Sequence, residues 1–366
     1  MSKIVIAVPV KNEEERITRC LDAFLGQSQP ADQIILLLNN CTDNTAATCA
    51  AYARRSGSIQ IIACELPASV ASAGEARRLA LNAAAMTRGA GVILTTDADA
   101  AVPPSWVEDN LRWISAGAEL VCGQAVIDAQ EARLIPDRLH ADHQAETDCL
   151  ARNDQIDALI NRDPIDVWPR HQQNSGASIA MTLDILRRSG GPPRVAASED
   201  RALIERARRV DGRIRHAPEI FVTVSGRLEG RATGGMAETI RRRMQVQDMF
   251  ADAALEPAVD AYRRALAKAR LRRLWLTGTG ADRLAEDLLL DRAAISFAAR
   301  AAYFGRAWAH VQKASPVLRR RLVPYRDLAR ETRQAEELCN QLLQIRPEAR
   351  MPPELQPAMR DRDAAD

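Results

Sequence analysis

The chain has 366 residues, 50 of them Lys or Arg and 48 Asp or Glu, for a formal net charge of +2. Apolar residues make up 46% and charged residues 27%, which excludes a disordered chain, a collagen-like repeat and a small disulfide scaffold. A charge so near zero makes no case for nucleic acid as a partner, and the length fits about two domains. The seven cysteines include no CxxC pair and read as reduced thiols rather than a zinc site. The N-terminus lacks the apolar run and cleavage site of a signal peptide, and no apolar stretch approaches the roughly 18 residues of a membrane span. Together these features predict a cytoplasmic protein.

The first 130 residues alternate between two periodicities. Lys3 to Val10 is a β-branched apolar run, followed by Ile17, Leu21, Phe24 and Leu25 at helical spacing. Gln33 to Leu38 predicts a second strand and ends in Asn39-Asn40-Cys41-Thr42-Asp43, which is turn and cap chemistry. A helix is expected over Thr45 to Arg55, a strand over Ile59 to Cys64, and a helix over Ser72 to Arg88, capped near Ser72 with Glu75 in its first turn. Gly91 to Thr96, Pro104 to Ala116 and Glu119 to Ile127 continue the alternation as strand, helix and strand. Leu134 to Asp163 reads as helix, Asn174 to Met181 as a loop entering a strand, Leu183 to Ser189 and Glu199 to Val210 as helices, and Arg213 to Val224 as a last strand. After Gly234-Gly235 only helical periodicity remains, and from Arg346 a Pro-rich charged tail follows. The pattern divides the chain into an α/β domain over 1–235, a helical region over 236–345 and a loose tail over 346–366.

Near-continuous apolar strands joined by helices over short loops predict a mostly parallel sheet covered on both faces. Ligands of such sheets bind beyond the carboxyl ends of the strands. Four polar clusters fall there: Lys11 to Glu15, Asn39 to Thr45, Glu65 to Gly74 and Asp97 to Asp99. Two carboxylates one residue apart at a strand end, Asp97 and Asp99, suit Mg2+ or Mn2+ shared with a phosphorylated ligand.

The order of these clusters resembles glycosyltransferase family 2. Pro9-Val10-Lys11-Asn12-Glu13-Glu14 resembles its P-x-x-N-E-E opening, and Leu21 to Ser28 its following C-L-x-S-L-x-x-Q stretch. Asn39 to Thr45 is similar to its D-D-G-S-T-D-x-T loop, Gly74 to Ala83 to its G-x-x-x-A-L-N stretch with Asn82, and Asp97-Ala98-Asp99 to its D-x-D motif. Gly176-Ala177-Ser178 resembles the acceptor-side glycine turn and Ser198-Glu199-Asp200 the E-D motif. The resemblance covers roughly 1–235 and implies a GT-A fold, Rossmann-like, followed by the helical region. It implies a metal-dependent, inverting transfer of a sugar from a nucleotide-diphosphate sugar, a UDP-sugar foremost, to an acceptor hydroxyl. By the same resemblance Pro9, Asn12, Glu13, Asn39, Asp43, Asn82, Asp97 and Ala98 line the donor pocket, Asp99 with Asp97 holds Mn2+ or Mg2+, Asp200 is the catalytic base and Glu199 orients it or the acceptor. The base loop departs from the family pattern at Asn39 and Asn40, which leaves the nucleotide open; an amide still offers a donor and an acceptor to a base edge.

Structural readings stand beside these roles. Asn12 with its Glu cluster, Asp43, and Ser198 with Glu199 and Asp200 all have the chemistry of helix starts. Ser225 to Arg231 with Gly234-Gly235 resembles an S-x-R-x-x-G-R-x-x-G-G stretch that closes over a diphosphate through Arg227 and Arg231, or is a domain-boundary loop. His216 on the last strand, and His140 with His143, read as structural rather than as metal ligands. The basic stretch Tyr262 to Trp275 fits packing better than an anionic membrane surface, though peripheral contact with the inner face of the membrane stays open. The apolar side of 285–311 fits an internal core or a homodimer face. The acceptor, whether small molecule, lipid-linked sugar or glycan, is not legible. Two other readings remain: a degenerate GT-A fold that binds a nucleotide sugar without turnover, and a sugar-1-phosphate nucleotidyltransferase, whose Gly-rich N-terminal loop is absent.

Overall fold

The computed structural model of the protein describes residues 2–228, 230 and 236–345. Its contacts divide these residues into two units: 2–142, 170–248 and 300–310 form the first, and 143–169, 249–299 and 311–345 the second. The expected boundary at 235 and the tail from 346 lie outside the described residues.

In the first unit strands and helices alternate as β1 (Lys3–Val10), α1 (Ile17–Leu25), β2 (Gln33–Asn39), α2 (Thr45–Arg55), β3 (Ile59–Cys64), α3 (Ala73–Met86), β4 (Ala90–Thr95), α4 (Trp106–Ser115) and β5 (Leu120–Ile127). The short helix α5 (Ala129–Ala132) and the long helix α6 (Asp137–Ile160) follow, α6 belonging to this unit up to Asp142 and to the second unit from His143, then β6 (Ile179–Thr182), α7 (Leu183–Arg188), α8 (Glu199–Arg209), β7 (Ile214–Val224) and α9 (Met236–Gln245). The seven strands form one sheet in the order β3-β2-β1-β4-β6-β5-β7. All neighbours are parallel except β6, which runs antiparallel to both β4 and β5.

The central strands β1 and β2 are near-continuously apolar because both their faces are covered: Val5, Ile6, Ala7 and Val8 of β1 are fully buried. Val5, Ala7, Ile35, Leu37, Ile93 and Met181 pack with Ala76, Ala80, Leu81 and Ala84 of α3 and with Leu203, Ile204 and Ala207 of α8. On α1 the buried stripe is Ile17, Cys20, Leu21 and Phe24, while Leu25 is exposed. At about 100° per residue Leu25 falls off the edge of that stripe. Helix α3 begins where Ser72 Oγ accepts the Glu75 amide at 3.1 Å, the capping geometry that the sequence predicts.

The second unit is helical: α10 (Ala258–Thr277), α11 (Ala281–Leu288), α12 (Arg292–Ala299) and α14 (Leu328–Ile345), with the end of α13 (Phe304–Ala314). Ile156 and Leu159 of α6 pack with Ala258 and Ala265 of α10 and with Ala335 and Cys339 of α14. The stretch 285–311 falls on three helices; Leu289, in the left-handed region at φ 50°, ends the first of them. Four basic residues of α10 are held by acids within the unit: Arg263 by Asp260 at 2.9 Å, Arg264 by Glu256 at 2.7 Å, Lys268 by Asp157 at 3.5 Å, and Arg270 by Asp287. Among the described residues no helix is long and apolar enough to cross a membrane.

Candidate active site

The carboxyl ends of β2, β1 and β4 lie side by side, since Val10 pairs with Leu38 and Ala7 with Thr95. The polar clusters after these strands therefore share one rim. Asn12 and Asn40 both adopt left-handed backbone, at φ 52° and 50°, a conformation that asparagine tolerates. Asn12 Oδ1 accepts the Thr42 amide at 2.8 Å, and its Nδ2 donates to Thr42 Oγ1 at 3.1 Å. Asn40 makes the same two-point clasp on Leu66, donating to its carbonyl at 3.0 Å and accepting its amide at 3.1 Å. Asp43 Oδ1 accepts the Thr45 amide at 3.0 Å, and its Oδ2 accepts the Glu14 amide at 3.3 Å. Desolvation raises the Asp43 carboxyl, but the bonds from Thr45 and Glu14 outweigh it and hold the group below the usual carboxylate range. Asn39 is buried at the end of β2, and Pro9 and Asn82 are half-buried on β1 and α3.

The D-x-D carboxylates leave the end of β4, and Ala98 between them is buried. Arg77 of α3, which no sequence pattern singled out, is buried under them. Its guanidinium bonds to Asp97, donates from Nε to Glu199 Oε1 at 2.9 Å, and donates from Nη1 to Thr95 Oγ1 at 2.9 Å and to the Gly176 carbonyl at 3.2 Å. Burial disfavours its charge, but Asp97 and Glu199 more than compensate and hold it protonated. Asp99 is pushed up to about 6, first by burial and then by the negative charge of Asp97, with Arg227 acting against both.

Arg227 follows β7. It donates to both oxygens of Glu13 at 2.8 Å and lies 3.2 Å from Asp99 Oδ2. The loop that carries it is anchored just before, where Glu131 accepts the Ser225 hydroxyl at 3.0 Å and the Gly226 amide and pairs with Arg16 at 3.0 Å. Glu131 is a second residue that the sequence did not single out. Arg231 lies outside the described residues.

Asp200 opens α8 beyond Ser198, another non-glycine residue in left-handed backbone, at φ 56°. Its carboxylate accepts the Gly176 amide at 2.8 Å and the Arg201 amide at 2.7 Å. Burial raises its pKa above the ordinary aspartate range, and the two amides offset only part of that rise. Asp97, Glu199 and Asp200 are thus gathered around one guanidinium and the Gly176 peptide. His216 Nε2 lies 3.3 Å from Asn174 Oδ1 and from Arg208 Nη2, and His140 contacts the Ala132 carbonyl at 2.9 Å.

The donor set at Asp97 and Asp99 fits a divalent cation. Two hard carboxylates stand two residues apart beyond the end of β4, the oxygen chemistry that Mg2+ and Mn2+ take. Among the described residues no group of three or more His, Cys, Asp or Glu side chains forms a complete metal cage, so water and the substrate would supply the remaining ligands.

Residues 5–177 match the family described as Glycosyl transferase family 2. The mostly parallel seven-stranded sheet with the antiparallel β6 is a GT-A architecture, followed in the chain by a helical region. No curated protein matches the sequence. Among solved structures it is similar to S. aureus TarS in complex with UDP-GlcNAc, at 16% identity and a TM-score of 0.46, with 91% of this chain and 92% of that one covered. It spans 55% of the length of another TarS structure. It is also similar to the mannosyltransferase PcManGT from Pyrobaculum calidifontis in complex with GDP-Man and Mn2+, at 17% identity and a TM-score of 0.43, with 94% and 88% covered. A third is glucosyl-3-phosphoglycerate synthase from Mycobacterium tuberculosis in complex with Mn2+, UDP-glucose and phosphoglyceric acid, at 19% identity and a TM-score of 0.41, with 68% and 81% covered.

Proposed function

We propose that this protein is a family 2 glycosyltransferase that moves a sugar from a nucleoside-diphosphate sugar to an acceptor hydroxyl with inversion at the anomeric carbon. The observation that carries the reading is the gathering of Asp97 and Asp200 at one sheet rim, Asp97 bonded to Arg77 directly and Asp200 linked to it through the Gly176 peptide. The loops of Pro9, Asn12, Glu13, Asn39 and Asp43 hold the nucleoside. Asn12 and Asp43 serve by shaping the loop, since their side chains bond to Thr42, Thr45 and Glu14. Asp97 and Asp99 would hold the cation, Mn2+ or Mg2+, which offsets the negative charge of the departing diphosphate.

Asp200 acts as the base. The acceptor oxygen bonds to the anomeric carbon from the face opposite the diphosphate, the carbon–oxygen bond to the diphosphate breaks, and the acceptor proton passes to the Asp200 carboxylate. The amides of Gly176 and Arg201 hold that carboxylate in place, and its raised pKa brings it nearer to the working pH of a general base. Glu199 contributes through Arg77 rather than by touching the acceptor. Arg227, paired with Glu13 and Asp99, has the fork geometry to grip a diphosphate.

The test is thermal unfolding with Mn2+ and each of UDP, GDP, dTDP and CMP. A ligand at about 100 times its dissociation constant stabilises the fold by about 2.7 kcal/mol. A metal-dependent rise with one nucleotide is the expected result. No rise with any of the four would overturn the donor assignment.

A further inference from the structure

Helix α3 touches the acceptor side of the site at two independent places. A Cβ on Gly74 would lie 2.2 Å from the Val195 carbonyl, so the segment leading to Ser198 rests directly on the helix backbone. One turn on, Arg77 is bonded to Glu199 and to the Gly176 carbonyl, while the amide of the same Gly176 donates to Asp200. Gly176 has no room for a side chain: a Cβ there would lie 2.7 Å from Arg77 Nη2. The same guanidinium bonds through Nη2 to Asp97 and through Nη1, the nitrogen that also serves the Gly176 carbonyl, to Thr95 at the end of β4. One planar cation therefore spans the loop after β4, the turn before β6 and the first turn of α8. These three segments are separated in sequence and joined through Arg77.

We propose that Arg77 is a positioning residue that sets the spacing between Asp97 on the donor side and Asp200 on the acceptor side. The inference rests on the transferase reading above. In-line displacement needs the attacking oxygen and the base within a few tenths of an ångström of the productive geometry, and a displacement of about 1 Å costs on the order of 100-fold in rate. Only arginine serves. Lysine keeps the charge but is a point donor that cannot reach Asp97, Glu199, Thr95 and Gly176 from one plane. The role predicts a loss in turnover much larger than any loss in donor binding, because Asp97 is the one donor-side carboxylate that Arg77 holds and the nucleoside loops are built from β1 and β2.

The experiment compares wild type, Arg77→Lys, Glu199→Gln and the double variant. Calorimetry with UDP and Mn2+ gives the donor-side dissociation constant, and steady-state transfer gives kcat. The expected result is a dissociation constant within about threefold of wild type for all three variants, with kcat down about 100-fold in Arg77→Lys. The double variant should be no slower than Arg77→Lys alone, since both changes break one link. Arg77→Gln, which removes the charge facing Asp200, should also move the acid limb of kcat upward, whereas Arg77→Lys leaves that limb in place. A kcat within threefold of wild type in Arg77→Lys, or losses that multiply in the double variant, would overturn the proposal. Should the wild type transfer no sugar, the transferase reading fails, and hydrogen exchange decides the Arg77 inference: faster exchange at 174–178 and 198–202 in folded Arg77→Lys supports it, and unchanged protection at both segments overturns it.

Discussion

Arg227 meets Glu13 through two hydrogen bonds of 2.8 Å, and the two residues are 214 positions apart in the chain. The pair ties the loop after the last strand to the loop after the first. It also carries a positive charge to within 3.2 Å of Asp99. A fork–fork pair of this kind is oriented as well as charged, and lysine does not reproduce it. Arg227→Lys should therefore weaken the binding of a nucleoside diphosphate about tenfold, the loss of roughly one charge-assisted bond of about 1.5 kcal/mol. Calorimetry with the nucleotide that stabilises the wild type measures it. Tighter binding in Arg227→Lys would show that the Glu13 pair locks the site in its resting state instead of gripping the ligand.

As the proposed base, Asp200 sets the expected pH dependence. The ionised carboxylate accepts the proton, and burial raises its pKa above the ordinary value of about 3.9. As pH falls, the group takes up a proton and loses its capacity as a base at a higher pH than a solvated aspartate would. Transfer should therefore rise with pH through an acid limb displaced upward from the ordinary aspartate range. A profile of kcat/KM from about pH 4 to about pH 8 checks the sign. Asp200→Asn should lower kcat by at least about 100-fold while nucleotide binding persists. Transfer unchanged in that variant would remove Asp200 from the role of base.

Most of the α/β framework was legible because its signals are local. β1, α2 and β3 have the predicted limits, since each is a continuous apolar or Ala-rich run closed by turn residues. The antiparallel direction of β6 was not legible: four residues, Ile179–Thr182, carry no mark of orientation, and only their pairing with β4 and β5 reveals it. Arg77 was passed over because arginine on a helix is mostly solvated. A signal was present all the same, since Arg77 shares one face of α3 with the buried Ala80, Leu81 and Ala84 at helical spacing. Glu131 gave no such signal; its partners Ser225 and Gly226 are 94 and 95 positions away.

The start of α3 offers a test of local stability. Ser72 Oγ accepts the Glu75 amide at 3.1 Å, and Glu75 pairs with Arg78 on the next turn. Ser72→Ala removes the acceptor and leaves an orphan amide at the helix N-terminus. The expected loss is about 1 kcal/mol, read from the denaturant midpoint at unchanged slope. A shift under about 0.3 kcal/mol would show that packing of the following segment, and not the cap, fixes where the helix begins.

Gly176 joins stability to function. Its backbone bonds face two ways, the carbonyl to Arg77 and the amide to Asp200, and a methyl group at its Cα would meet Arg77 Nη2 at 2.7 Å. Neither side can yield freely: Arg77 is held by Asp97, Glu199 and Thr95, and Ala177 and Ser178 next to Gly176 are buried. Gly176→Ala should therefore cost about 1–3 kcal/mol of stability, the usual penalty of overpacking, and should lower kcat well beyond what partial unfolding explains, because the Asp200 anchor moves with the peptide. Thermal unfolding and kcat measured well below the melting temperature separate the two effects. A destabilised variant with wild-type kcat would show that the Gly176 peptide supports the fold alone, and that Asp200 is held sufficiently by the Arg201 amide.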